Sequence, residues 1–148
     1  SKFGVQITIS DEGQSPIGTA NGIRKILDFF GENPFLVVNA DIWTNYTFID
    51  LLKYDLSNKL AHIILVPKPT YHQGDFTLKD NHLIKGQDFT FTGIGLYTSE
   101  LFKKYNHSDL GNILREEKNI SSSIFRGYWQ DIGTPERLEN ARSAYNSL

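Results

Sequence analysis

The chain has 148 residues, which is enough for one domain with a single apolar core. Its formal net charge of −2 argues against a nucleic-acid partner, and the absence of cysteine excludes disulfides and thiolate metal sites. No apolar run approaches the roughly 18 residues of a membrane span, and no segment has the pattern that directs secretion. We therefore expect a cytoplasmic protein with neither nucleic-acid nor membrane partners.

Hydrophobic spacing predicts alternating strands and helices. The predicted strands are, in chain order, 3–9, 35–40, 61–66, 74–78, 89–97 and 122–132, the last being one strand or a strand pair. Predicted helices begin near Thr19, Phe48, Ser99, Leu110 and Thr134. The continuous apolar segments 35–40 and 61–66 are typical of strands covered on both faces. This order predicts an α/β fold with helices on both sides of the sheet, in a single domain over residues 1–148.

Two aspartates come directly after predicted strands. Asp41 ends the segment "PFLVVNAD", and Asp131 lies in "GYWQDIGT" before the first turn of a helix. Ligands bind at the carboxyl ends of strands in open α/β sheets, and Mg²⁺ is held by one or two carboxylates together with phosphate oxygens. If both strands are central in the sheet, the pair predicts a magnesium site. The alternative is that each aspartate only caps the turn that follows it.

The loop "SPIGTANGI" (15–23) leads small residues into a helix. Backbone N–H groups at such a start are unpaired, and Gly18 would allow a base or a phosphate to approach closely. The glycine and lysine spacings of dinucleotide-binding loops and P-loops are absent. An ordinary helix start therefore remains the alternative.

Other residues attract attention without a convincing pattern. The four histidines have no ligand-like spacing and are interpreted as strand or loop residues: His62, His72, His82 and His107. Trp43 and Trp129 could stack on a base or a sugar, but packing in the core or at a rim explains them equally simply. The hydroxyl-rich segment "KNISSSIF" lacks a nucleophile turn.

Taken together, these segments resemble the sugar-1-phosphate nucleotidylyltransferases. "SPIGTANGI" resembles the "LGTAG" loop of the mannose-1-phosphate guanylyltransferase-like branch, and "FLVVNADIW" resembles its strand end with Ala40 in place of glycine. "GDFTL", "FTFTGIGLY" and "GYWQDIGTPERLENA" are similar to further segments of that branch. The Trp after the aspartate, the "GDF" turn and the "W-x-D-I-G-T" ending resemble the N-acetylmuramate-1-phosphate uridylyltransferases.

The resemblance implies a three-layer αβα Rossmann-like fold, its sheet mostly parallel with an antiparallel insertion. Family members open with a "GxGxR" loop and a "PKP" lysine that grip the triphosphate, and the later "PKP" at 67–69 is not that element. Because the chain begins at Ser1 and contains no methionine, we expect it to correspond to the C-terminal two-thirds of such an enzyme. It would then lack the N-terminal strand-loop-helix units, and alone it would be inactive and prone to aggregation.

The resemblance also implies roles for individual residues. Asp41 and Asp131 would be catalytic ligands of Mg²⁺. The substrate-binding set would comprise a base pocket, a position near the ribose or metal, and sugar contacts: Gly18, Thr19, Ala20, Asn39, Asp75, Thr92 and Gly93. "GDF" could equally be a plain hairpin turn. The reaction would be attack of a sugar 1-phosphate on the α-phosphorus of a nucleoside triphosphate, with release of pyrophosphate.

Three functional alternatives follow. The first is this Mg²⁺-dependent nucleotidyl transfer, with uridine and N-acetylmuramate ahead of guanosine and mannose on resemblance alone. The second is a nucleotide-sugar-dependent glycosyltransferase, which would usually carry D-x-D where this chain has Asn39. The third is a non-catalytic fragment or regulatory partner of the same fold. A homo-oligomer or a complementing N-terminal segment could complete the sheet.

Overall fold

The structure is a computed structural model, and it describes residues 4–80 and 82–145. Its strands are β1 Phe35–Val38, β2 Ile42–Thr44, β3 Ala61–Pro67, β4 Phe76–Lys79, β5 His82–Lys85, β6 Phe89–Tyr97, β7 Ile120–Ile124 and β8 Trp129–Asp131. Its helices are α1 Thr19–Lys25, α2 Leu27–Phe30, α3 Phe48–Leu52, α4 Ser99–Lys104, α5 Leu110–Glu116 and α6 Pro135–Tyr145.

The main sheet has the order β5-β4-β6-β3-β7, and β1 also pairs with β6. β6 is antiparallel to β1, β3 and β4, whereas β3 and β7 are parallel. It follows that β1, β3, β4 and β7 all run in one direction, with β5 and β6 opposed to them. The predicted mixed α/β sheet is therefore confirmed, although the antiparallel β6 lies at its centre and sets most of the neighbouring pairs.

Helices cover both faces of this sheet. Along β3, Ile63 and Leu65 enter a large apolar cluster with α1, α4 and α5, whereas Ile64 enters a smaller cluster with Leu51 of α3. Alternation of side chains along a strand produces this division. The three-layer arrangement predicted from the sequence is therefore present, and β3 is its buried centre. Within the part of the chain that the structure describes, no helix is long and apolar enough to span a bilayer.

Some sequence predictions were wrong in detail. The first strand was predicted at residues 3–9, of which residue 3 lies outside the described residues. Residues 4–9 form no strand, because no described strand pairs with them, and Ile7 and Ile9 are exposed. The predicted first helix is two short helices, which are separated at Ile26. β1 is not covered on both faces, since only Phe35 is fully buried.

The sequence analysis made the magnesium site conditional on both aspartate strands being central in the sheet, and the strand of Asp131 is not. β8 pairs antiparallel with β2 in a separate two-stranded sheet. We refer to the antiparallel pair of β2 (Ile42–Thr44) and β8 (Trp129–Asp131) as the β2–β8 arm. This arm was not predicted, because β2 is only three residues long and has no distinctive pattern.

Candidate active site

The candidate site lies at a gap in the main sheet. β1 pairs with β6 at residues 94–97, and β4 pairs with the same strand only at Phe89. Residues 90–93 of β6 are therefore left between these two neighbours, and all four line a small cavity of about 80 Å³. The other lining residues come from the end of β1, the β2–β8 arm and a loop: Asn39, Asp41, Ile42, His72, Trp129 and Asp131.

The arm brings the two predicted catalytic aspartates together. Its register places Ile42 opposite Asp131, and the Asp41 carbonyl accepts a 2.8 Å hydrogen bond from the Ile132 N–H. A Cβ built on Gly133 would lie 2.7 Å from Oδ2 of Asp41 and 3.1 Å from Oδ1 of Asp131. The two oxygens thus face one point and are no farther apart than the sum of those distances. A side chain at position 133 would therefore displace the Asp41 carboxylate from its present position.

Asp131 is held in place from its C-terminal side. Its Oδ1 accepts a hydrogen bond of 2.7 Å from the Gly133 N–H and lies 3.2 Å from Nη2 of Arg137. Arg137 sits in the first turn of α6, where Thr134 caps the helix by accepting a 3.2 Å hydrogen bond from the Arg137 N–H. The sequence analysis did not identify Arg137 as a site residue. Its position three residues after a capping threonine is the signal that could have indicated it.

Asn39 and Gly93 were predicted separately as substrate contacts, and they contact each other. The Asn39 N–H donates to the Gly93 carbonyl at 2.9 Å, and a Cβ on Gly93 would lie 2.7 Å from Cγ of Asn39. Gly93 has a φ of 77°, and it lies where β6 shifts register against β3. Such bulges are frequent beside active sites because they redirect side chains. Thr92 lines the same cavity, although its hydroxyl donates to the Ile64 carbonyl at 2.7 Å.

The "GDF" segment, which leads into β4, contacts β6 beside the gap. The carboxylate of Asp75 accepts a 3.0 Å hydrogen bond from the Phe91 N–H, a group that no strand pairs on this side. Asp75 is not itself a lining residue. The Gly74 N–H donates to Nδ1 of His72 at 2.9 Å, which leaves the ring proton of a neutral His72 on Nε2. His72 lines the cavity, but its spacing in the sequence gave no reason to select it.

The predicted base pocket lies elsewhere on the described surface. Gly18 and Thr19 line a hollow that shares no residue with the aspartate cavity. Ala20 is fully buried, and its N–H donates to the Ser108 carbonyl at 2.9 Å. A Cβ on Gly18 would lie 2.6 Å from the same carbonyl oxygen, so contact with the Ser108 backbone already accounts for this glycine.

The donor set of the cavity fits a divalent cation. Among the described residues, no group of three or more His, Asp, Glu or Cys side chains could enclose a metal by itself. Two convergent carboxylates with room for other ligands are what Mg²⁺ usually finds in phosphate-transfer sites, where water and substrate oxygens complete the coordination. Asp41 itself is exposed. Burial therefore does not force a counter-charge on this carboxylate.

Comparison with known proteins identifies the family. The family model described as "Nucleotidyl transferase" matches residues 1–82. The chain belongs to the nucleotidyl transferase family. An N-acetylmuramate alpha-1-phosphate uridylyltransferase from Neisseria meningitidis is 33% identical over 97% of the chain, which covers 68% of that relative. A mannose-1-phosphate guanyltransferase from Candida albicans is 28% identical over 97% of the chain, which covers 45% of it.

Solved structures of nucleotidyl transferases share the fold. A structure assigned as a candidate glucose-1-phosphate thymidylyltransferase from Bacillus anthracis superposes with a TM-score of 0.80 at 19% identity, over 99% of this chain and 68% of the other. The inositol-1-phosphate CTP transferase from T. maritima gives a TM-score of 0.71 at 11% identity, over 89% and 62% of the two chains. At these identities the likeness establishes the fold alone. Of the two sequence relatives, the chain spans about two-thirds of the uridylyltransferase from Neisseria meningitidis and less than half of the guanyltransferase from Candida albicans.

Proposed function

We propose that this chain contributes the metal and sugar-phosphate half of a nucleotidyl transferase site, which transfers the nucleoside monophosphate group of a nucleoside triphosphate to a sugar 1-phosphate. The observation that carries the proposal is the convergence of Asp41 and Asp131 on one point at the gap in the sheet. The products would be a nucleotide-sugar and pyrophosphate. Since nucleoside triphosphates are abundant in the cytoplasm, we place the protein there.

Residues of this chain would act by positioning and by charge. Asp41 and Asp131 would hold Mg²⁺, which when bound neutralises developing phosphate charge. Arg137 keeps Asp131 oriented toward that position through their ion pair. Asn39, at the rim of the cavity against Gly93, would donate to a ribose or phosphate oxygen. His72, Thr92 and Gly93 form the wall where the sugar phosphate would lie, and such transfers depend on alignment more than on a protein nucleophile.

The test is pyrophosphate release by the protein at its full natural length, with a nucleoside triphosphate, a sugar 1-phosphate and Mg²⁺. Asp41→Asn and Asp131→Asn should each lower turnover by about a hundredfold or more, because each removes a charge that faces the reacting phosphates. Asp50→Asn is the matched control, since Asp50 is exposed on α3. Turnover within a few-fold of the parent in either folded aspartate variant would remove that residue from the site.

Two nucleotide-sugar chemistries stay open within the family. The relative from Neisseria meningitidis favours uridylyl transfer to N-acetylmuramate 1-phosphate, because its identity and coverage exceed those of the guanyltransferase from Candida albicans. A comparison of UTP with GTP, each with both sugar phosphates, distinguishes them. Formation of a glycosidic bond from a nucleotide-sugar, without pyrophosphate release, would instead support the glycosyltransferase alternative.

A further inference from the structure

A second hollow lies beside the aspartate cavity. It has a volume of about 380 Å³, and Trp129 belongs to the lining of both. The rest of its lining comes from the end of β3 and from the turn between β7 and β8: Val66, Pro67, Pro69, Phe125, Arg126 and Gly127. Ligand pockets commonly measure about 300 to 1,000 Å³, so this hollow is large enough for a sugar, whereas the aspartate cavity alone is not.

The turn that carries Arg126 is fixed on both sides. The Phe125 N–H donates to the Leu65 carbonyl at 2.8 Å, and the Tyr128 N–H donates to Oδ1 of Asn45 at 2.8 Å. A Cβ on Gly127 would lie 2.2 Å from the Phe125 ring, so no larger residue fits there without a shift. The same backbone continues into β8, which carries Trp129 and Asp131 on one face. The backbone at Arg126 is therefore set in a defined relation to the aspartate cavity.

Arg126 is the only charged side chain among the described residues that line this hollow. It is exposed, and no ion pair or hydrogen bond involves its guanidinium within the described parts of the chain. By contrast, Arg137 beside the aspartates already pairs with Asp131. An unpaired guanidinium in the lining of a hollow is suited to a carboxylate or a phosphate, which it binds through two parallel hydrogen bonds.

We infer that Arg126 recognises a carboxylate carried by the sugar, and so selects an acidic sugar 1-phosphate over a neutral one. The inference rests on the proposed function, which places the 1-phosphate beside Asp41 and Asp131. The sugar then extends past Trp129 into the second hollow, where proline and aromatic side chains contact its ring. Because the phosphate stays on the aspartate side of Trp129, the anion that meets Arg126 is a different group on the sugar.

The experiment compares N-acetylmuramate 1-phosphate with N-acetylglucosamine 1-phosphate, which lacks only the lactyl ether and its carboxylate. Affinities are measured by calorimetry with the full-length parent protein, Arg126→Gln, Arg126→Lys and the control Arg142→Gln. Arg142 is exposed on α6, and its substitution removes the same charge. Circular dichroism verifies that each variant is folded.

We expect the parent to prefer the acidic sugar and Arg126→Gln to lose about tenfold to hundredfold of that preference, with unchanged affinity for the neutral sugar. Arg126→Lys should retain part of it, and Arg142→Gln all of it. Equal affinity for the two sugars in the parent, or binding of neither, overturns the inference. An equal loss for both sugars in Arg126→Gln also overturns it, because Arg126 would then bind the phosphate.

Turnover measured on the same preparations separates the two proposals. Pyrophosphate release with neutral sugar phosphates, unaffected by Arg126→Gln, would leave the proposed function standing and contradict the role of Arg126. A binding preference that depends on Arg126, without pyrophosphate release, would support the acidic-sugar site and contradict the transferase activity.

Discussion

Packing constraints explain several glycines of this protein before any function is considered. Gly93 is needed because its φ is positive and the Asn39 side chain lies against it, and a side chain at Gly133 would displace the two carboxylates that converge on it. Both glycines lie at the candidate site, so the packing requirement and the chemical requirement coincide there. At Gly18 only the packing requirement is evident, since the Ser108 backbone leaves no room for a side chain there.

His62 shows how a buried titratable group affects stability rather than chemistry. Its two ring nitrogens bond the hydroxyls of Ser121 and Ser123 at 2.8 and 2.9 Å, and Tyr54 stacks on the ring. Burial lowers the pKa of His62 from 6.5 to about 4. Between these pH values the unfolded chain binds a proton that the folded chain does not. Acidification through that window therefore favours unfolding.

We expect His62 to contribute roughly 2 to 3 kcal/mol to the loss of unfolding free energy between pH 7 and pH 4.5. Urea denaturation at both pH values tests this by comparing the parent chain with His62→Gln, in which that part of the loss should be absent. His82→Gln is the control, because His82 is exposed and its substitution should leave the pH dependence unchanged. If His62→Gln loses as much stability as the parent, the prediction is wrong.

The sequence predicted much of the candidate site at this scale. Asp41, Asp131, Asn39, Thr92 and Gly93 all line one cavity, as their positions in the resembling segments implied. His72 and Arg137 were missed, because one is placed by a hydrogen bond to the "GDF" segment and the other by a helix cap. The hydrogen bond of His72 leaves no spacing pattern in the sequence, whereas the position of Arg137 three residues after Thr134 is a local signal that was not followed up.

At the scale of elements, α6 acts as a support for the aspartate pair. Thr134 bonds the Arg137 N–H through its hydroxyl, Pro135 occupies the first turn, and Arg137 reaches back to Asp131. The sequence predicted this helix start correctly, because a threonine followed by proline is a strong local signal. What the local signal could not convey is that the helix end also orients a residue of β8.

Thr134→Ala should lower the free energy of unfolding by about 1 kcal/mol, the usual cost of removing a side-chain helix cap. Thr47→Ala is a matched control, because Thr47 stands at the start of α3 without a side-chain cap hydrogen bond. It should cost only a few tenths of a kcal/mol. Chemical denaturation of both variants provides the measurement, and equal effects would contradict a capping role for Thr134.

Element positions were predicted better than element partners. The runs at 61–66 and 89–97 correspond to β3 and β6, because long β-branched and aromatic segments are strong local signals. The gap in the sheet depends instead on where β1 and β4 leave β6, and pairing register is a long-range property. The alternation of Val5, Ile7 and Ile9 is a local pattern that predicted a strand. The prediction failed because a strand also needs a neighbouring strand to pair with.

At the scale of the whole molecule, apolar groups remain exposed along the first described segment. Ile7 and Ile9 are 63% and 86% exposed, and Phe29 beside this segment is 71% exposed. β1 pairs with a single strand in the described sheet, so one of its edges is open there. Exposed apolar side chains and an open strand edge each favour association between chains.

We therefore expect the 148-residue chain to self-associate as its concentration rises, and the double variant Ile7→Lys/Ile9→Lys to remain monomeric under the same conditions. Gln6→Lys/Thr8→Lys is the matched control, since it adds the same charge at neighbouring positions but keeps both isoleucines. Sedimentation velocity over a concentration series provides the readout. A control as monomeric as the double variant would indicate that charge repulsion, rather than removal of apolar surface, is responsible.

The short β2–β8 arm has a practical consequence. The chain has two tryptophans, and the arm holds both: Trp43 stands opposite Gln130, and Trp129 stands opposite Thr44. The Trp129 indole N–H also donates to the Thr92 carbonyl at 3.0 Å, at the wall of the aspartate cavity. Ultraviolet excitation of this protein at the red edge of indole absorption therefore illuminates only this arm, which makes its native emission a built-in optical reporter of anything that settles beside the two carboxylates.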